Sequence, residues 1–116
     1  GAELNSDVMT DGELSGRELG LGLAAELEGL GPWGQRFPEP LFDGLFEVLD
    51  RRVVGGAHLK MIVRALDGGE AVDAIAFNRL PEDLPSDGAV RLLYRLAVNR
   101  WAGTESCQLV VEQIVS

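Results

Sequence analysis

The chain has 116 residues, 46% of them apolar, with one Cys, one His and a formal net charge of −9. This length suits one small domain with a single core, and a lone cysteine excludes an internal disulfide framework and points to a reducing, cytoplasmic setting. No apolar run reaches transmembrane length, and the acidic opening GAELNSDVMTDGEL lacks the layout of a signal peptide, so no membrane partner is expected.

The first fourteen residues, 1–14, are polar and Gly/Asp-rich, and read as an irregular lead-in. Ser15 and Glu18 have capping-box spacing, and Leu19, Leu23, Leu27 and Leu30 follow at intervals of three and four, which predicts a helix over 15–30. Gly29, Gly31 and Pro32 stop it. GPWGQRFPEPLF (31–42) carries three prolines and three aromatics. Such a run is a connector, and its aromatics, Trp33, Phe37 and Phe42 beside Pro38 and Pro40, are expected to pin helix and following domain into one unit.

From residue 41 the period changes to two. Strands are expected at 41–54, where Gly44 allows a bend, and then at 58–66, 71–78, 89–101 and 106–115. Glycine pairs or AGTE turn the chain between them, and RLPEDLPSDG (79–88) makes an irregular insertion between the third and fourth strands. Five strands in this order predict a mainly β, five-stranded OB-fold barrel over 41–116, preceded by an N-terminal α-helix and a Pro/Trp-rich connector. Leu59, Met61, Val63, Ala74, Ala76, Leu92, Leu96 and Val98 are its expected interior.

The charge is uneven. Residues 1–50 hold eleven Asp/Glu against two Arg, a net of −9, while residues 51–116 hold eight of each sign and sum to zero. A basic face is therefore open to the second half only. Alternation turns His58, Lys60 and Arg64 outward on one strand and Arg91, Arg95 and Asn99 outward on another, with Phe77 outward at the end of the third. A solvated barrel exterior has the same pattern, so the alternation alone does not separate a binding face from a soluble one. No catalytic centre is visible: one His, one Cys in an apolar strand, no phosphate-cradling loop and no carboxylate cluster at metal-ligand spacing. No cofactor or metal is expected in this chain.

DGEL, the leucine helix, GPWGQRFPEPLF, RRVVGGAHLKMIVR, DAIAFN and YRLAVNRWAGTESCQLVVEQI resemble, in that order, the C-terminal region of the RecJ family. These are bacterial single-stranded-DNA-specific 5′→3′ exonucleases of the DHH phosphoesterase superfamily. The resemblance covers nearly all of residues 11–115. It implies that residues 15–40 are the end of a DHHA1 domain and its connector, and that 41–116 are an OB-fold domain. It further implies that the catalytic DHH domain, with its Mn²⁺ or Mg²⁺, precedes this chain. Arg36 stands where many relatives have Gly, and Ala102 where many have Arg, which removes a phosphate contact from the last loop.

Two functions remain in view. The first is a single-stranded-DNA-binding module acting in DNA repair and recombination, with Arg51, Arg52, His58, Lys60, Arg64 and Phe77 as the binding residues, and Arg95 and Trp101 ranked behind them as further around the barrel. The second is a protein-interaction or structural brace that closes the nuclease cleft or docks a single-strand-binding protein.

Overall fold

A segment that alternates apolar and polar side chains can bury one face only by pairing into a sheet, and five such segments here pair into a closed one. The computed structural model describes residues 10–30, 38–85 and 88–115. The strands are β1 (Phe42–Val54), β2 (His58–Ala65), β3 (Val72–Ala76), β4 (Val90–Trp101) and β5 (Thr104–Val115). They close in the order β1-β2-β3-β5-β4. All neighbours are antiparallel except β3 and β5, which run parallel through Asp73↔Gln108, Ala74↔Leu109 and Ile75↔Val110. This is the OB-fold arrangement expected from the strand count. The insertion between β3 and β4 contains one 3₁₀ turn, Pro81–Asp83, and Leu84 after it is buried.

Of the eight residues expected inside, seven are buried, and Val98 is half-buried against the same core. Tyr94 sits at the centre, with no exposed surface. Its ring meets Phe46 edge-on at 5.5 Å between centroids and lies tilted against Phe42 at 6.0 Å. Pairs of this kind add about 0.5–1.5 kcal/mol beyond their burial. Phe42 opens β1 and packs within the barrel, so its contact does not join helix to barrel; Trp33 and Phe37, on which that expectation rests, lie outside the described residues. Pro38 is exposed and Pro40 half-buried.

Three local features differ from expectation. The irregularity in β1 lies between Val48 and Asp50 and leaves Leu49 as the extra residue, whereas Gly44 pairs regularly with Leu92. A Cβ at Gly44 would sit 3.2 Å from Phe46 Cε1, so its role is to admit that ring. The helix, α1, spans only Leu21–Leu30. The capping-box contact does form, the Ser15 amide donating to Glu18 Oε1 at 2.8 Å, but it closes an isolated turn. Gly16 is held against the β2–β3 turn there: its amide donates to Asp67 Oδ1 at 2.8 Å, and a Cβ would overlap the Gly68 carbonyl. That contact fixes the path, and the helix starts only after Gly20. Leu19 and Ala24 are buried and Leu23 and Leu27 pack on the core, while Leu30 is exposed, so the apolar face ends a turn early.

The lead-in also departs from expectation, for residues 10–13 lie along the start of β1. The Asp11 amide donates to the Leu41 carbonyl at 2.6 Å, and the Asp43 amide to the Gly12 carbonyl at 3.1 Å. Buried Asp43 accepts from Thr10 Oγ1 and from Arg91 Nη1, both at 2.7 Å. Burying a carboxylate is costly unless hydrogen-bond and ion-pair partners of this kind satisfy it.

Candidate nucleic-acid interface

Cross-strand register fixes what the barrel presents. Arg52 lies opposite Lys60, Val54 opposite His58 and Glu47 opposite Arg64. Lys60 lies opposite Ile75, and Ile62 opposite Asp73. Directly paired residues share a face, so His58, Lys60, Ile62 and Arg64 form one outward row on β2. Arg51 pairs with inward Met61 and so leaves β1 on the other side from Arg52; both are exposed, because Leu49 to Val53 are exposed throughout.

The candidates differ in what already holds them. Arg64 donates to Glu47 at 3.1 Å. Arg95 donates from Nε to Glu112 at 3.2 Å and from Nη1 to the Glu39 carbonyl at 2.7 Å, so it fastens the connector to the β4–β5 pair. Arg51, Arg52 and Lys60 have no ion-pair partner among the described residues. Phe77, 51% exposed, stands just beyond β3 with its ring edge-on to His58 at 5.2 Å. His58 is fixed from its other side, where Nδ1 accepts from the Asn78 amide at 3.1 Å.

Trp101 is 76% exposed at the end of β4. Because β5 lies between β3 and β4, the β4–β5 hairpin brings Trp101 toward β2 and β3, nearer than its place in the sequence suggests. Lys60, Asp73, Asn99, Trp101, Thr104, Ser106 and Gln108 line one groove of about 410 Å³. A second groove of about 430 Å³, lined by Leu19, Leu21, Ile62 and Val72 among others, shares Asp73 and Ser106 with the first. Together they make one trough over β2, β3 and β5. The lysine and the tryptophan were legible in the sequence. Asp73, Thr104, Ser106 and Gln108 were not: the parallel β3–β5 register sets Gln108 beside Asp73, and the groove between the strands takes in Thr104 and Ser106.

The one described thiol bordering the trough is not activated. Burial, with the Asp73 charge nearby, pushes the Cys107 thiol up to about 11, so it is protonated at neutral pH. Among the described residues no three His, Cys, Asp or Glu side chains come together to hold a metal ion. The arrangement offers a cation, an exposed indole and a row of hydrogen-bonding groups.

Residues 10–113 match the RecJ OB domain. The chain belongs to that family. The single-stranded-DNA-specific exonucleases RecJ of Dickeya dadantii and Salmonella typhimurium are similar to it, 47% identical over 116 residues and 44% over 115. Each alignment takes 97% of this chain but 20% of the relative, so the chain spans about a fifth of their length. RecJ from Thermus thermophilus, in its Mg²⁺ complex, superimposes on 79% of the chain with a TM-score of 0.61 and 27% identity, using 14% of the larger chain. Its Mn²⁺ complex covers 94% of this chain and 16% of that one, with a TM-score of 0.68 and 24% identity, a likeness of fold. A divalent ion of that kind does not fit the described residues of this RecJ OB domain, which offer no donor set for it.

Proposed function

We propose that this RecJ OB domain holds single-stranded DNA in the trough over β2, β3 and β5, as the binding module of a RecJ-type 5′→3′ single-stranded-DNA exonuclease. On this reading hydrolysis, with its Mn²⁺ or Mg²⁺, belongs to a DHH domain of the parent enzyme, joined to this domain through the rest of a DHHA1 domain. The observation that carries the reading is the pairing of Lys60 with a three-quarters-exposed Trp101 along one groove. A tryptophan left in water on a rigid strand end is a base platform in waiting, and a lysine without an ion pair supplies a phosphate contact. OB-folds take oligonucleotides on the face of their second and third strands and the loop joining their fourth and fifth, which is where this trough lies.

The test is oligonucleotide titration at several salt concentrations, using a RecJ protein that carries this domain. Lys60→Ala lowers the slope of log K against log salt by about 0.7, one single-strand phosphate contact. Arg64→Ala lowers it less, because Glu47 already neutralises Arg64. Trp101→Ala costs about 1–3 kcal/mol of binding, the range for one stacked base. A Lys60→Ala/Trp101→Ala protein that binds and digests single strands like its parent would overturn the reading.

The brace reading has its own observation. Leu14, Leu45 and Leu66 border a separate groove of about 150 Å³ that shares no residue with the trough, and Leu45 and Leu66 are exposed. If that surface carries the function, changes at Leu45 and Leu66 impair the enzyme while changes at Lys60 and Trp101 do not.

A further inference from the structure

Asp73 stands where the two grooves join, on the same face as Lys60 and Ile62. It is half-buried, and no hydrogen bond or ion pair engages its carboxylate among the described residues. It is close enough to the buried Cys107 to act on that thiol through its charge. A carboxylate at the middle of a single-strand track repels phosphate and can only accept hydrogen bonds. Besides Lys60, Trp101 and Thr104 its groove is lined by Asn99, Ser106 and Gln108, side chains suited to base edges, and the adjoining groove adds Glu70.

We propose that the strand crosses Asp73 with a base facing the protein and its phosphates turned away, and that Asp73 selects bases presenting an exocyclic amine. This rests on the reading of the trough as a single-strand site. Cytosine offers its N4 amino group, a donor matched to a carboxylate. Thymine places O4 at the same position, where two acceptors oppose each other, and its only ring donor, N3–H, is flanked by carbonyls. The domain therefore favours oligo-dC over oligo-dT, two pyrimidine strands with similar stacking. The expected margin is about tenfold, the size of one hydrogen bond to a charged group.

The experiment is fluorescence anisotropy with labelled dC and dT oligonucleotides of one length at neutral pH, using the 116-residue chain and a full-length RecJ protein that carries it. Each is compared with its Asp73→Asn variant. The amide both donates and accepts, so it meets either base, and the repulsion of nearby phosphates is gone. Binding of dT rises in the variant and the dC:dT ratio falls to near one. Equal affinity for dC and dT in the unmodified proteins overturns the proposal and leaves the single-strand reading standing. So does a dC preference that survives in Asp73→Asn, because its origin is then another residue. Absence of binding of either oligonucleotide to both unmodified proteins overturns the single-strand reading and this inference with it. Melting curves establish that the variant is folded, as substitution of a half-exposed strand residue should leave it.

Discussion

Position 102 shows how a single residue shapes the candidate site. Trp101 pairs with Thr104, so Ala102 and Gly103 form a two-residue turn with φ of 53° and 79°. Both values are positive, the signature of a type I′ hairpin, which matches the right-handed twist of its strands. Glycine adopts that backbone freely, whereas alanine is held there at a cost of about 1–2 kcal/mol. Asparagine tolerates the conformation far better, so Ala102→Asn should stabilise the chain by about 1 kcal/mol. Thermal melting checks it, and a lowered melting temperature would show that the hairpin tip prefers alanine for another reason. The sequence announced a turn at this place, and it announced Trp101, but it could not say that the hairpin would bring Trp101 to the groove that Lys60 also lines. It also offered Arg64 and Arg95 as free cations. Their partners Glu47, Glu112 and the Glu39 carbonyl are chosen by register and by the connector's path, neither of which alternation encodes.

Among the elements, strands were legible and the helix only in part, for a physical reason. A half-buried strand declares itself by an apolar residue at every second position, and β2, β3 and β4 as far as Val98 do, as do β1 up to Val48 and β5 from Cys107 to Val111. The start of α1 depends instead on Gly16 lying against the β2–β3 turn, a tertiary contact that overrides the local capping signal. The other end of α1 is held electrostatically. Arg100 of β4 donates two hydrogen bonds to the Glu28 carboxylate and a third to Glu105 at 2.9 Å. The hydrogen bonds from Arg100 hold the Glu28 carboxyl below its ordinary value of 4.5. A depressed folded-state pKa means that the unfolded chain takes up the proton first as pH falls. The brace therefore stabilises fully above about pH 4.5 and is lost as pH drops through the folded value. Glu28→Gln should lower the urea midpoint at pH 7, and the gap from the unmodified chain should close as the pH falls through and below the depressed folded-state value. A gap that stays constant across this range would assign the loss to packing and not to charge. At the exposed surface the effect is small and falls with added salt.

For the molecule as a whole, the uneven charge of the sequence becomes a stitching pattern. Glu13, Glu28, Asp43 and Glu47 come from the acidic first half, and they pair with Arg91, Arg100 and Arg64 of the second. Acids that composition casts as a repulsive tail thus hold the chain's two halves together, and they remove arginines from the list of free cations. The segment before the barrel also fills its core, through Leu19 and Ala24, and supplies Thr10 to the buried Asp43. Residues 10–30 therefore share one core with the barrel, and the expected behaviour is a single cooperative unit. A chain beginning at residue 38 loses the burial of Leu19 and Ala24, the second acid on Arg91 and the clamp on Arg100. Burial of one leucine alone is worth about 2–5 kcal/mol, so the shortened chain should lose about 4 kcal/mol or more, and its thermal transition should broaden. Urea unfolding of the two chains makes the comparison. An unchanged midpoint and slope in the shortened chain would mean that the barrel folds independently, and that residues 10–30 are attached to it without contributing to its stability.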